Sequence, residues 1–166
     1  MLRTAEARRT RPRRGDDGWH LAGERRVQAD VGFYYDLGKA NVERIVKGLS
    51  AELEDSPVTA VGVTPGWLRS EKMLENFGVT EANWRDACRV RPGFGISESP
   101  TYVARGVAAL AGDADAERWA GTIVSARVLA DAYGVTDTDG SRPDCWGYHA
   151  AYGWEPEDSR GIDEFR

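Results

Sequence analysis

The run VTAVGVT, residues 58–64, constrains this chain more than any other stretch. It is rich in β-branched residues, uncharged and bracketed by Pro57 and Pro65, the pattern of a short strand covered on both faces. Before it, apolar residues fall at Leu37, Val42, Ile45, Val46, Leu49 and Leu53, the spacing of an amphipathic helix. Glu54, Asp55 and Ser56 follow, and Pro57 stops the helix. A helix that feeds a buried strand is the signature of a parallel α/β sheet. With 166 residues the chain is long enough for one domain with a core of its own.

The pattern continues beyond Pro65. Residues 67–90 read as two short helices separated by Gly78, the second capped by Thr80. Residues 91–100 read as loop, and Ser99-Pro100 as the N-cap and first position of a helix with Val103, Val107 and Leu110 on one face. That helix ends at Gly112. TIVSARVLA, residues 122–130, is a second β-rich run. Residues 27–134 thus form an organised α/β body. Residues 135–166 are a Gly/Asp/aromatic tail without periodicity, in which DTDGSRPD is turn chemistry and Trp146, Tyr148, Tyr152 and Trp154 are expected to pack back on the body.

Charge separates the first residues from the rest. Residues 1–26 hold eight Arg against four acids and show neither a helical nor a strand period. Such an arm cannot bury enough surface to offset its chain entropy and is expected to be disordered. Arg8-Arg9 lacks the apolar segment an export signal needs, and the composition changes abruptly near Val27. The other 140 residues carry 14 basic and 23 acidic side chains, which disfavours a nucleic-acid partner for the body. A tether to nucleic acid through the arm alone is the remaining form of that idea. No apolar stretch approaches the length of a membrane span. Cys88 and Cys145 fit no metal-ligand spacing and read as reduced thiols of a cytoplasmic protein. His20 and His149 suggest neither a triad nor a metal site and are expected to be exposed bystanders.

One pair could carry chemistry. Tyr35 and Lys39 stand four apart at the start of the first helical pattern. With six Tyr and three Lys in the chain, chance produces such a pair in roughly one sequence in ten. Read alone, it is either an acid/base couple or two residues sharing a helix face. A phenol, with an ordinary pKa of about 10, exchanges protons readily near neutrality only when a cation beside it favours the phenolate.

The context of the pair resembles the short-chain dehydrogenase/reductase family. YDLGK resembles that family's active-site Tyr-x-x-x-Lys, and PGWLRS its Pro-Gly-x-Val-x-Thr segment, with Leu68 at the Val position and Ser70 at the Thr position. TPGWLRSEKMLENFGVTEANWRDA is similar to the substrate-loop region of one bacterial subgroup, and the resemblance covers about residues 30–145. It implies a partial Rossmann-like, doubly wound parallel sheet corresponding to the C-terminal half of the family fold. It implies an oxidoreductase acting on a carbonyl or alcohol with NAD or NADP. Tyr35 would exchange the proton, and Lys39 would also hold the nicotinamide ribose. Pro65, Gly66, Leu68 and Ser70 would meet the nicotinamide end, and residues 71–98 would cover the substrate, where Met73, Leu74, Phe77, Trp84 and Phe94 suit either an apolar pocket or ordinary core packing.

Two parts of the family pattern have no counterpart. No G-x-G-x-x-G occurs, and the residue thirteen before Tyr35, where a serine is usual, is Ala22. The chain is therefore expected to be truncated and inactive by itself. The alternative is a non-catalytic interaction module pairing with a full-length relative, or with itself, through helices 37–54 and 100–111. Substrate and the choice between NAD and NADP are not legible.

Overall fold

The computed structural model describes residues 32–154 and 156–166. The Arg-rich arm, His20 and Ala22 lie outside the described residues.

Helix α1 spans Phe33–Glu52, one turn earlier than the apolar pattern suggests, so that Tyr35 falls in its first turn. Strand β1 is Gly62–Thr64, shorter than the β-branched run. It pairs in parallel with β2, Ile123–Ser125, in the register Gly62↔Ile123, Val63↔Val124 and Thr64↔Ser125. Just before the ladder, Gly121 donates to the Ala60 carbonyl at 2.9 Å, and Gly62 donates to that of Thr122 at the same distance. A Cβ on Gly62 would run into the Ile123 Cδ1, so a larger residue there would force that side chain to move. Between the strands lie α2 (Glu71–Asn76), two 3₁₀ segments (Trp84–Arg89 and Pro92–Ile96), α3 (Pro100–Ala111) and a third 3₁₀ segment (Ala116–Trp119). After β2 come α4 (Ala126–Tyr133) and α5 (Cys145–Tyr152). The described residues therefore form a mixed, largely helical body around a small parallel two-stranded sheet, compatible with a partial Rossmann-like fold.

Four local readings differ from the structure, each for a physical reason. The run 122–130 is strand only to Ser125, whose hydroxyl accepts the Val128 amide at 3.2 Å and caps α4. The second helix of 67–90 is a 3₁₀ segment, and at its start the Asn83 side chain accepts the Thr80 amide at 2.8 Å rather than Thr80 capping it. Residues 93–96, read as loop, are buried, and the 3₁₀ turn of Pro92–Ile96 satisfies the backbone there. In the supposedly aperiodic tail, the Asp144 carboxylate accepts the Gly147 amide at 2.9 Å and starts α5.

The core is divided. Trp84, Ala87 and Phe94 pack with Trp67, Met73, Leu74, Phe77 and Val79. Ile96, Cys145 and Tyr148 pack with Trp67, Tyr152, Ile162 and Phe165, so Trp67 joins the two clusters and Tyr148 and Tyr152 of the tail belong to the body, while Trp154 stays 51% exposed. Beneath α3 and α4 lie Tyr102, Ala126 and Ala130, and beside the strands Leu110, Val124 and Leu129. Gly106 lets α3 approach α4 closely, a Cβ there standing 3.0 Å from the Leu129 Cβ. His149 is buried at 6% exposure, contrary to the surface position expected of it. Its Nδ1 lies 2.9 Å from the Gly153 carbonyl and its ring stacks on Trp154 at 4.1 Å. Burial holds its pKa below the ordinary value. Among the described residues no helix is long and apolar enough to cross a membrane.

Candidate active site

Tyr35 and Lys39 are one helical turn apart on α1, both exposed, with the Lys39 Nζ 5.4 Å from the centre of the Tyr35 ring. The i, i+4 spacing puts them on one face, and nothing in the sequence between them breaks the turn. α1 leads into the Val58–Thr64 run, so the strand and the Pro65-Gly66 turn follow from the same stretch of chain that presents the pair.

The second group of expected site residues is one continuous segment. Pro65, Gly66, Leu68 and Ser70 are all half-buried, and Ser70 accepts the Met73 amide at 3.2 Å as the N-cap of α2. Its hydroxyl proton remains available to another partner. The backbone of the segment is braced from one side. The Gly66 amide faces the Glu98 carboxylate and favours its charged form, and the Trp67 amide approaches the Cys145 sulfur at 3.1 Å. Glu98 donates its own amide to the Trp67 carbonyl at 3.0 Å and accepts the Arg69 amide at 2.8 Å. This is a parallel bridge between Leu68 and Glu98. In such a bridge the backbone groups of Leu68 face away from residue 98. The Leu68 carbonyl accepts from Ser70 at 2.8 Å, and among the described residues the Leu68 amide has no acceptor.

Behind the segment sits a buried polar network. The Arg69 guanidinium, 2% exposed, donates to Glu81 at 2.9 and 3.0 Å and to the Ser97 carbonyl at 2.6 Å. It also reaches Asp137 at 3.5 Å and lies 4.4 Å above the Trp84 ring. Asp137 accepts the Ser99 amide at 3.0 Å, the Ser99 hydroxyl and the Thr138 amide at 2.6 Å. Burial alone would raise the Asp137 pKa, but these donors and Arg69 hold it below the ordinary carboxylate value. Ser99 occupies the N-cap position of α3, yet its hydroxyl serves Asp137 instead of the helix. Burial pushes the Cys145 thiol up to about 12, so it is a packed thiol rather than a nucleophile.

The structure pairs Tyr35 with Lys39 and gathers Pro65, Gly66, Leu68 and Ser70, but no hydrogen bond among the described residues links the two groups. The aromatic and apolar residues expected to line a substrate pocket pack on one another instead. Phe94 is fully buried, 4.7 Å from Phe77 and 6.1 Å from Trp84 between ring centres, because a filled apolar core is favoured over an open one. A shallow cleft lined by Ser50, Leu53, Pro57, Thr59, Asp113 and Glu117 lies at the far end of α1. Fifteen residues of helix, about 22 Å, separate Ser50 from Tyr35, so this cleft does not serve the pair. Sequence reasoning passed over Glu98 and Asp137. Glu98 lies beside the Ser99-Pro100 helix start, and a carboxylate there looks like an ordinary helix-end charge. Among the described residues no group of His, Cys, Asp and Glu could hold a metal ion.

No family model matches the chain. The chain is similar to the mouse (Mus musculus) protein described as dehydrogenase/reductase SDR family member 1, at 32% identity over 108 residues. The match takes in 64% of this chain and 34% of the mouse protein, and it supports a short-chain, oxidoreductase-type character in general terms. The chain spans about a third of the length of the curated relative it matches.

Proposed function

We propose that this chain carries the C-terminal half of a nicotinamide-dependent short-chain oxidoreductase acting on a carbonyl or alcohol. Tyr35 would pass a proton to the carbonyl oxygen, or take one from the alcohol, and NAD or NADP, when bound, would supply or accept the hydride. Lys39 supplies the positive charge beside the phenol and holds the nicotinamide ribose. Pro65, Gly66, Leu68 and Ser70 meet the nicotinamide, the free Leu68 amide and the Ser70 hydroxyl being its polar contacts. The sheet completes as a doubly wound parallel sheet with the half that binds adenosine, and the 166 residues by themselves turn over no substrate.

The observation that carries this reading is the Lys39 ammonium 5.4 Å from the Tyr35 ring on a helix that runs into β1 and the Pro65-Gly66 turn. The similarity to the mouse protein supports it independently. The test is reconstitution. The purified chain is mixed with a polypeptide supplying a Gly-rich dinucleotide-binding half, and carbonyl-dependent oxidation of reduced nicotinamide is followed. Activity is expected only in the mixture, and Tyr35→Phe is expected to lower it by about 10²–10⁴-fold. Turnover by the chain alone, or a Tyr35→Phe variant as active as the parent, would overturn the reading.

A second reading rests on a different observation. Leu37, Val42, Ile45 and Leu49 on α1 and Val107 on α3 are exposed apolar residues. They suit a non-catalytic module that pairs through these helices with a full-length relative or with a second copy. Co-purification with such a relative, with no gain of activity, would favour this second reading over the first.

A further inference from the structure

Glu98 is the most unusual side chain near the 65–70 segment. It is 1% exposed, and its Oε1 has no hydrogen-bond partner among the described residues. Its Oε2 lies beside Gly66, whose amide favours the charged carboxylate, while its backbone takes the Arg69 amide and gives its own to Trp67. One residue therefore braces the segment at 67 and 69 through its backbone and lies against 66 through its side chain, around the single residue whose amide is left unengaged. A Cβ on Gly66 would stand 2.9 Å from Glu98 Oε2, so the glycine is what lets the carboxylate come so near.

We propose that Glu98 is the positioning residue of the Pro65–Ser70 segment, fixing the direction of the Leu68 amide through Gly66, Trp67 and Arg69, and that protonation of its free oxygen slackens this grip. The use made of the Leu68 amide rests on the nicotinamide-binding reading given above; the grip itself does not. Charge-assisted hydrogen bonds are roughly twice as strong as neutral ones, so a protonated Glu98 holds the Gly66 amide more weakly. Oε1, with no donor on it, is the oxygen that can take the proton without breaking an existing bond. Burial pushes this carboxyl up to about 7, the Gly66 amide opposing the rise, Asp137 adding to it and Arg69 opposing it. The other ionisable groups around it are Tyr102 on α3, its phenol buried without a partner, and Cys145 on α5. Burial raises both of these away from neutrality, leaving Glu98 as the group of this cluster that changes charge near pH 7.

The test follows backbone amide resonances of the full 166-residue chain by proton–nitrogen correlation spectra as pH is varied. The Gly66 amide is expected to move through one transition with its midpoint near 7, and Leu68 to move with it. Glu98→Gln keeps an acceptor for Gly66 but cannot ionise, so the transition is expected to vanish. Cys145→Ala loosens the same segment at Trp67 without touching the titrating group, and the transition is expected to remain. A Gly66 amide that stays still in the parent chain, or that still titrates in E98Q, would overturn the proposal. Should E98Q fail to fold, the parent and C145A titrations decide the matter by themselves. Nicotinamide mononucleotide added on either side of the midpoint separates the two ideas. A Leu68 shift larger on the alkaline side supports both. A titrating Gly66 with a Leu68 amide that ignores the mononucleotide upholds the grip and sinks the cofactor reading.

Discussion

Helix α1 and the Pro65–Ser70 segment carry the two halves of the candidate site, and they are held in contrasting ways. On α1 only Val46 is buried, and Leu37, the least exposed of the apolar residues Leu37, Val42 and Ile45, still shows 42% of its surface. The 65–70 segment is fastened by Glu98, Cys145 and the Arg69–Asp137–Ser99 network, most of it inaccessible to solvent. Burial of one valine contributes about 1.5–3 kcal/mol, whereas a buried charge network makes each member depend on its partners. The proposed proton-transfer pair thus rides on an element with one apolar anchor, and the proposed cofactor contacts on one with several polar ones. Precision resides in the second group, and the first acquires it only when something covers the exposed face of α1.

The contrast is broken most severely at Arg69. Arg69→Ala leaves Asp137 buried without its cation and strips a guanidinium from Trp84, and is expected to cost about 3–5 kcal/mol in denaturant unfolding. A loss no larger than that of a surface substitution would mean the network is ornamental.

The next largest effect is in pH. The folded Glu98 carboxyl binds its proton more tightly than the ordinary value of 4.5 allows, so its contribution to stability is complete below 4.5 and is lost as pH rises to about 7. The loss amounts to up to roughly 3 kcal/mol, and Glu98→Gln should abolish this slope in urea titrations across that window. Asp137 has the opposite sign. Its pKa is held below 3.8, so its stabilisation is present above that value and disappears as pH falls through the lowered one. A curve that rises on acidification through the upper window and falls at its acid end is the expected signature.

Smaller effects belong to α1. Val46→Ala should cost about 1–2 kcal/mol, since two methyl groups leave the core. Ile45→Glu should change stability by less than about 0.5 kcal/mol but should lower self-association in sedimentation, if the exposed stripe is a contact surface. An Ile45→Glu variant as unstable as Val46→Ala would show that α1 is packed more like the 65–70 segment than its exposure indicates.

Much of the fold was legible because it rests on local rules. The apolar spacing of α1, the Pro57 stop, the Ser99-Pro100 start and the Gly112 end of α3 all follow from periodicity and capping. Ser125 and Asp144 are equally local signals, each a polar cap before a helix-forming run, and they were overlooked in favour of the β-branched and turn-like residues beside them. The Tyr35–Lys39 proximity is also local, since i and i+4 on any helix are neighbours. The residues that brace the 65–70 segment obey no such rule. Glu98 lies 31 positions from Trp67, Asp137 lies 68 from Arg69, and Cys145 lies 78 from Trp67.

By itself, then, the sequence determined where α3 begins and ends, that a short strand would follow α1, and that a phenol and an ammonium would share a turn. Each of these depends on interactions a few residues long, which composition and spacing encode directly. Only the tertiary structure decided that β1 would be three residues long, that Phe94 and its neighbours would fill a core instead of lining a pocket, and that Glu98 would be buried beside Gly66 with one carboxylate oxygen unpartnered. Those outcomes depend on which distant surfaces meet and on how far water is excluded between them. Burial of that kind is a property of the packed chain, and no window along the sequence contains it.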